Sequence, residues 1–268
     1  MRCKFCFATF QDVKQAYLPK GHLPREEAVA VVRELAAAGF AKITFAGGEP
    51  TLCPWLPILI GTAKAAGMTT MLVTNGSKLT DAYLGNLQES LDWIAVSIDS
   101  LHSETNLQNG RAIAGRTPLA VDDYLDLITR IKSFGYKLKI NTVVCSTNFR
   151  EDFRSFIRHI NPARWKVFQV LPIRGQNDAC IDDFAITDDQ FRHFLDFHHG
   201  INCLVPETNE IIKGSYVMVD PAGRFFDDVG GEHHYSRPIL DAGWKTAIGD
   251  VDYDGGKFLA RGGLYRFT

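Results

Sequence analysis

The sequence lacks the features that mark membrane-spanning, secreted and nucleic-acid-binding proteins. It contains no apolar run of about 18 residues, so no transmembrane helix is predicted. We expect no secretory leader, because the sequence begins on its first motif, and the formal net charge of −2 gives no reason to expect a nucleic-acid or membrane-surface partner. The six cysteines are scattered apart from one pair, which excludes a small disulfide framework and favours a reducing compartment. We expect a cytoplasmic protein that acts as a monomer.

The chain also lacks an internal repeat, a Pro/Ser-rich linker and a GxGxxG motif after its first strand. It has instead about six alternations of strand and helix, which predict an α/β fold with a parallel sheet. Strands are predicted at residues 42–46, 69–74, 93–98, 137–144 and 164–171. A barrel and a doubly wound sheet both fit, but the missing glycine motif argues against a dinucleotide-binding Rossmann fold. The alternation occupies residues 1–200, and we predict a C-terminal extension at residues 201–268.

Basic residues recur on one face of three predicted strands. Because side chains alternate along a strand, these faces carry Lys42, Thr44 and Ala46, then Lys137, Lys139 and Asn141, then Arg164, Lys166 and Phe168. Buried cations are unfavourable unless they are paired, so their convergence in a chain of net negative charge indicates an anionic occupant. Lysines and an arginine at this spacing suit a polyphosphate. The alternative is that they are strand-end residues close to solvent or paired with Asp and Glu.

Cys3 and Cys6 form a CxxC motif at the start of the sequence. By itself this motif fits a zinc site, a redox pair or a fragment of an iron–sulfur motif. Zinc needs two further ligands, but there is no second CxxC, and the histidine pairs at residues 198–199 and 233–234 lack zinc-finger spacing. A thioredoxin-like motif follows a strand and opens a helix, whereas this one starts the chain.

Gly47, Gly48, Glu49 and Pro50 directly follow the first predicted strand. Glycines let the backbone approach a ligand closely, and the ligand sites of barrels lie at the carboxyl ends of the strands. For this motif alone, an ordinary strand-to-helix turn is the alternative. Together with an upstream CxxC, the motif is far more specific.

These motifs together resemble the radical S-adenosylmethionine (radical SAM) superfamily, and much of the chain resembles the viperin family within it. The matching blocks are residues 42–50, 75–77, 97–100, 106–111, 139–141, 161–169, 203–207, 215–216 and 260–263. The resemblance implies a partial (β/α)6 barrel of the TIM type that holds a 4Fe-4S cluster and S-adenosylmethionine. Enzymes of this kind take an electron from an external donor and convert the cosubstrate to methionine and a 5′-deoxyadenosyl radical.

In the viperin family the radical takes hydrogen from C4′ of a nucleoside triphosphate. The 3′-hydroxyl then leaves as water, which gives a 3′-deoxy-3′,4′-didehydro nucleotide with a role in antiviral defence. The resemblance therefore implies a lyase that acts on CTP or UTP. The protein's part in such chemistry is to position and shield the radical.

The resemblance also implies a role for individual residues. Cys3 and Cys6 are expected to ligate the cluster. The expected ligands of S-adenosylmethionine are Gly47, Gly48, Glu49, Ser97 and Arg111. The expected ligands of the nucleotide are Lys42, Thr44, Lys139, Asn141, Arg164, Lys166 and Arg261. Tyr216 matches a tyrosine near the sugar and is expected to donate hydrogen to the product radical or to stack on the substrate.

The sequence departs from the family pattern in two places. The first cysteine of the CxxxCxxC motif would lie before Met1, and we expect that the chain is truncated there. A non-catalytic nucleotide-binding protein that has lost the cluster is the alternative, and a zinc-stabilised barrel is a third interpretation. Thr44 and Ala46 stand where the vertebrate members carry Asn and Ser, so both CTP and UTP remain open as substrates.

Overall fold

Six parallel strands form one curled sheet, in which the strands are arranged in the same order as along the chain. The computed structural model describes residues 1–18 and 21–265. The strands, in spatial order, are β1 (Lys42–Phe45), β2 (Thr69–Thr74), β3 (Trp93–Ser97), β6 (Lys137–Val144), β7 (Arg164–Gln169) and β8 (Leu204–Glu207). Every neighbouring pair is parallel. Sequential parallel strands joined by helices make an open half-barrel, which confirms the predicted partial (β/α)6 fold.

The other strands are short and antiparallel. A small hairpin pairs β4 (Ala112–Ile113) with β5 (Thr117–Pro118). A three-stranded sheet contains β9 (Met218–Val219), β10 (Arg224–Asp227) and β11 (His234–Pro238), with β10 in the middle. This second sheet belongs to the segment predicted as a C-terminal extension.

Helices lie between the successive strands of the half-barrel, and others precede β1 or follow β8. They are α1 (Gln11–Ala16), α2 (Arg25–Ala37), α3 (Leu56–Ala65), α4 (Asp81–Leu87), α5 (Ser103–Gln108), α6 (Val121–Ser133), α7 (Arg154–Ile160), α8 (Ile181–Phe184), α9 (Asp188–Phe197), α10 (Asn209–Ile212), α11 (Ile239–Ala242), α12 (Trp244–Ile248) and α13 (Gly255–Ala260). A 3-10 turn covers Pro50–Leu52. Among the described residues, no helix has the length and apolar character required to cross a membrane.

Local sequence signals account for several helix boundaries. A capping box begins α9, because Thr187 Oγ1 accepts a hydrogen bond from the Gln190 amide at 3.2 Å and Gln190 Oε1 accepts one from the Thr187 amide at 2.9 Å. Helix α7 begins at Arg154. The Asp152 carboxylate accepts a hydrogen bond from the Arg154 amide at 2.8 Å, which satisfies a free donor at the start of the helix.

The core lies between the sheet and the outer helices. Leu138 and Ile140 of β6 and Trp165 and Val167 of β7 are buried in it. These residues alternate with Lys139, Asn141, Arg164 and Lys166, so the cationic residues point to the other, concave side of the sheet. The predicted division of the strands into an apolar and a cationic face is therefore confirmed.

The sixth strand lies inside the segment predicted as the extension. Strand β8 contains Pro206, which cannot donate to a ladder and is tolerated because β8 is at the edge of the sheet. The sequence Leu-Val-Pro-Glu has no clear alternation, which is why it was not recognised as a strand. The division at residues 1–200 and 201–268 remains a prediction, with β8 joining the sheet from beyond the boundary.

Candidate functional site

The Cys3–Cys6 motif forms a turn that is docked onto the loop after α5. The Cys6 amide donates to the Cys3 carbonyl at 3.2 Å, and the amides of Arg2 and Lys4 donate to the carbonyls of Gly110 and Asn109 at 3.1 and 3.0 Å. Gly110 has φ +75°, and a Cβ there would lie 2.2 Å from the Arg2 carbonyl oxygen. Glycine is required at this position both by its backbone conformation and by the close approach.

Phe5 anchors the turn from the inside. Its ring is buried and packs edge-on against Phe184, with the centroids 5.7 Å apart, and its carbonyl accepts a hydrogen bond from Asn177 Nδ2 at 3.2 Å. Both cysteines are free and half-buried. Burial raises the pKa of both thiols, and the nearby Arg111 guanidinium acts in the opposite direction. Tertiary contacts therefore hold the CxxC turn in place.

The turn provides two thiols that could bind a metal ion or an iron–sulfur cluster. Across residues 1–18 and 21–265, no set of three or more His, Cys, Asp or Glu side chains is arranged to hold a metal ion. Cys3 and Cys6 suit two ligand positions of an iron–sulfur cluster, because thiolates at this spacing are its usual ligands. A third protein ligand is not found among the described residues.

Arg111 lies beneath the turn in a buried ion pair. Its Nε and Nη2 atoms both contact Asp99 Oδ2, and Asp99 Oδ1 accepts a hydrogen bond from the Val143 amide at 2.9 Å. Asn106 is also buried and donates to the Ser100 carbonyl at 2.9 Å. The side chains of Asn106 and Arg111 are thus both buried. Asp99 therefore occupies Nε and Nη2 of Arg111, and Nη1 is the nitrogen that could bind a ligand.

The glycine loop after β1 is open on one side and tied down on the other. Gly47 has φ +125°, and a Cβ added at Gly47 or Gly48 would meet nothing within 4 Å. The Glu49 carboxylate is occupied, since it accepts hydrogen bonds from Thr51 Oγ1, Thr74 Oγ1 and the Asn75 amide at 2.6, 2.7 and 2.9 Å. The side chain of Glu49 thus holds the loop, and the exposed backbone of Gly47 and Gly48 is the part available to a ligand.

Polar residues line the concave face next to this loop. Ser97 at the end of β3 is half-buried and is in register with Asn141 on β6. Asn141 Oδ1 is buried and has no hydrogen-bond partner among the described residues. Thr44 on β1 is exposed. An unsatisfied buried acceptor is uncommon and indicates a missing donor, such as a hydroxyl or amine of a ligand.

Five cationic side chains meet on the concave face: Lys42, Lys139, Arg164, Lys166 and Arg261. Burial and the neighbouring cations Lys139, Arg164 and Arg261 lower the pKa of Lys42 to about 7. Burial, Arg164 and Arg261 lower the pKa of Lys139 to about 7 in the same way. These shifts show that the cations are close enough to repel one another in a poorly solvated space. Of the cations on the predicted faces, Lys42, Lys139, Arg164 and Lys166 come together here. Arg261, which only the family resemblance indicated, joins them, whereas Lys137 lies over the Trp93 ring.

Counter-charge is scarce in this cluster. Of the described residues, only Glu207 brings a carboxylate within ion-pair distance of Lys139, Arg164, Lys166 or Arg261. Lys139 has no hydrogen bond or ion pair with any described residue. Arg164 donates from Nη2 to the Gly262 carbonyl at 2.7 Å, while its Nε is buried without a partner among the described residues. The concave face therefore gathers several basic groups with too few carboxylates, and an anion would stabilise their charged forms.

Tyr216 lies at one side of the cluster. Its hydroxyl donates to Glu207 Oε2 at 2.6 Å, and the Arg261 guanidinium lies 3.6 Å over the centre of its ring. Burial raises the pKa of Tyr216 to about 12, so it is a neutral phenol near pH 7. It thus keeps a hydroxyl hydrogen next to the space that Lys166 and Arg261 surround.

Sequence reasoning missed three contributors to the site. Glu207 was only part of a matching block, Asp99 was not paired with Arg111, and Tyr265 was not singled out. The Tyr265 ring lies 4.2 Å from the Arg164 guanidinium and its hydroxyl contacts Lys42. No local pattern marks such contacts, because each joins residues far apart in the chain.

Comparison with known proteins places this geometry in context. Residues 1–160 match the family model of the radical SAM superfamily. The chain is 62% identical over 268 residues to an S-adenosylmethionine-dependent nucleotide dehydratase of Lacinutrix mariniflava and spans 56% of that protein's length. It is 50% identical over 267 residues to a protein of the same name from Flammeovirga pacifica, and spans 92% of it.

More distant similarity agrees with this. The S-adenosylmethionine-dependent nucleotide dehydratase RSAD2 of Danio rerio is 36% identical over 278 residues, which cover 98% of this chain and 74% of the fish protein. Among solved structures, anSMEcpe with bound AdoMet superposes with a TM-score of 0.68 at 16% identity, covering 92% of this chain and 76% of that one. The structural likeness supports the shared half-barrel fold. The chain belongs to the radical SAM superfamily and, within it, to the family of S-adenosylmethionine-dependent nucleotide dehydratases.

Proposed function

We propose that this chain is a radical SAM nucleotide dehydratase that converts CTP or UTP to its 3′-deoxy-3′,4′-didehydro analogue, as part of antiviral defence. The observation that carries the proposal is the cluster of buried cations on the concave face, with Glu207 as the carboxylate that contacts it. A triphosphate supplies the missing negative charge in a form that lysine and arginine bind well. The name of the relatives from Lacinutrix and Flammeovirga supports the same chemistry.

The arrangement of the strands suggests how the nucleotide is oriented. Lys42, Lys139 and Arg164 lie at or near the amino ends of their strands, whereas Gly47 and Ser97 lie at the carboxyl ends or just beyond them. Since the strands are parallel, the first group marks one end of the concave face and the second group the other. We place the phosphates among the first group and the ribose toward the second, where Asn141 Oδ1 lacks a donor.

The residues at the carboxyl ends suit the two cofactors of the family. Cys3 and Cys6 would hold the 4Fe-4S cluster, and the open backbone of Gly47 and Gly48 would bind the methionine part of S-adenosylmethionine with Ser97 and the free nitrogen of Arg111. When bound, these groups supply a radical that abstracts a hydrogen atom, with an electron from an external donor. We propose that the half-barrel holds the ribose within reach of that radical.

Protein side chains would then complete the reaction. We propose that Lys139, Arg164 and Lys42 bind the triphosphate and that Thr44 faces the nucleotide. Lys166 lies next to the Tyr216 hydroxyl and Arg261 over the Tyr216 ring. We propose that Tyr216, a neutral phenol near pH 7, donates hydrogen to the product radical or stacks on the substrate. The extension, residues 201–268, would close the site, because its residues Arg261 and Tyr265 both contact the cationic side chain of Arg164.

The free state of all six cysteines suits a reducing compartment, and we propose that the protein works in the cytoplasm. We also propose that it works as a monomer, with the nucleotide and the electron donor as its partners.

The test is an anaerobic assay of the chain with reconstituted iron–sulfur cluster, dithionite, S-adenosylmethionine and either CTP or UTP. It should be run on the chain itself and on a version extended so that a cysteine stands four positions before Cys3. We expect 5′-deoxyadenosine and a nucleotide product lighter than its substrate by one water. Absence of both products from the extended protein, with the cluster visible by its absorbance, would contradict the proposal.

A second candidate is a nucleotide-binding protein without catalysis. The observation that favours it is the set of only two thiols brought together among the described residues. It predicts that CTP or UTP binds with unchanged affinity whether or not iron and sulfide are supplied, and that 5′-deoxyadenosine never forms. Calorimetric titration of both nucleotides, before and after reconstitution, separates the two candidates.

A further inference from the structure

We infer that Glu207 is a positioning residue that holds Lys166, Tyr216 and Arg261 in one arrangement against the nucleoside part of the substrate. The inference rests on the proposed function and adds a residue that the family resemblance left without a role. It also explains why one carboxylate is tolerated in a site that would bind an anion.

The contacts of Glu207 join three expected site residues. Oε1 contacts Lys166 Nζ and lies 3.4 Å from Arg261 Nη1, while Oε2 accepts the hydroxyl hydrogen of Tyr216 at 2.6 Å. Lys166 Nζ is also 3.3 Å from the Tyr216 oxygen. Glu207 has no exposed surface, so water does not compete for these contacts. Removal of the carboxylate would therefore take away the one contact that Lys166, Tyr216 and Arg261 share.

The position of Glu207 follows from the sheet. Glu207 ends β8 and is in register with Phe168 of β7. Phe168 lies two residues after Lys166, so the two side chains are on the same face of the sheet. Tyr216 and Arg261 reach it from the extension, where the Arg261 Nε and Nη2 atoms also donate to the Ser215 carbonyl at 3.2 and 3.1 Å. The carboxylate therefore joins the half-barrel to the extension at the side of the site.

Glu207 divides the cationic cluster into two parts with different charge. Lys166 and Arg261 share its carboxylate, whereas Lys139 and Arg164 have no carboxylate partner among the described residues. A phosphate group gains more by binding the uncompensated pair, and Glu207 repels it from the compensated one. The compensated part, with the Tyr216 hydroxyl, is then left to face the uncharged sugar and base.

The test compares two ligands in the wild-type chain and in Glu207→Gln, which keeps the shape and removes the charge. CTP and inorganic tripolyphosphate are titrated by calorimetry at fixed salt, and the ratio of their dissociation constants reports the contribution of the nucleoside. We expect Glu207→Gln to bind tripolyphosphate as well as the wild type or several-fold better, since a repulsive charge is gone. We expect the advantage of CTP over tripolyphosphate to fall tenfold or more.

Two further variants control for folding. Glu210→Gln changes an exposed carboxylate three residues away and should leave both affinities unchanged. The double variant Glu207→Gln with Lys166→Met removes both members of the buried pair, which restores charge balance without restoring the network. It should fold as well as the wild type and still show the reduced advantage of CTP.

The outcomes separate this inference from the function beneath it. Equal weakening of both ligands in Glu207→Gln, with the ratio preserved, means that Glu207 is only structural and overturns the inference. A preserved ratio in the double variant overturns it as well. If the wild-type chain binds neither CTP, UTP nor tripolyphosphate, the proposed function itself fails and the inference falls with it.

Discussion

The Glu49 carboxylate accepts a hydrogen bond from the Asn75 backbone amide at 2.9 Å, and this bond fastens the glycine loop after β1 to the end of β2. The same carboxylate accepts from the hydroxyls of Thr51 and Thr74. Glu49 thereby fixes the backbone of Gly47 and Gly48, which is where we place the cosubstrate. The acidic residue of the motif acts through the shape of the loop.

Glu49→Ala should weaken both the fold and the binding of S-adenosylmethionine. Loss of a charged acceptor leaves the Asn75 amide and two hydroxyls to find other partners, which costs about 1–3 kcal/mol of unfolding free energy. Denaturant unfolding and calorimetric titration with the cosubstrate measure the two effects. Glu89→Ala, at an exposed position, is the control. Wild-type affinity for S-adenosylmethionine in Glu49→Ala would contradict the assigned role.

Gly110→Ala should displace the cysteine turn. The new Cβ would lie 2.2 Å from the Arg2 carbonyl oxygen, so the chain at residues 2–4 must move away. Gly115→Ala is a matched control, since Gly115 has a similar φ of +74° but nothing within 4 Å of the added Cβ. The rate of alkylation of Cys3 and Cys6, followed by peptide mass spectrometry, should rise in Gly110→Ala alone. A similar rise in both variants would attribute it to the backbone conformation instead.

Lys139→Met should stabilise the free protein while it weakens the binding of a triphosphate. Lys139 is buried without an anionic partner among the described residues, and an apolar side chain of similar length avoids the cost of burying a charge. Loss of a charge-assisted contact should reduce affinity for CTP or UTP by about 1–3 kcal/mol. Thermal unfolding measures the expected gain in stability, and calorimetry measures the expected loss of nucleotide affinity. The exposed Lys78→Met should change neither. Unchanged affinity in Lys139→Met would show that the lysine does not meet the nucleotide.

The contrast between Lys166 and Glu207 shows how far the sequence could predict the site. Alternation along a strand is a local property, so the concave face of β6 and β7 and its cations followed from the sequence. The partner of Lys166 did not, because β8 carries Pro206 and shows no alternation, and Glu207 lies 41 residues after Lys166 in the chain. The contact of Gly110 with Arg2 is equally non-local. A glycine in a loop gives no sign of which segment will pass over it.

The low pKa of Lys139 makes the stability of the protein depend on pH. In the folded, ligand-free chain the pKa of Lys139 is about 7, below its usual 10.5, because of burial and the cations Arg164 and Arg261. Between these two values the unfolded chain holds more protons than the folded one, so the free energy of unfolding should rise with pH from about 7 to about 10. The gain in unfolding free energy is fully present above pH 10.5 and is lost as the pH falls to about 7, where the folded lysine becomes charged as well. Lys139→Met should show a smaller slope than the wild type in denaturant unfolding across this range.

The same pKa predicts proton uptake on binding. A triphosphate beside Lys139 and Lys42 favours their charged forms, so at pH 8 the complex should take up protons that the free protein has released. Calorimetric titration with CTP in two buffers of different ionisation enthalpy measures the number taken up. We expect uptake in the wild type and a smaller uptake in Lys139→Met. If both proteins take up the same number of protons, Lys139 is already charged in the free protein, and its burial does not lower its pKa as described.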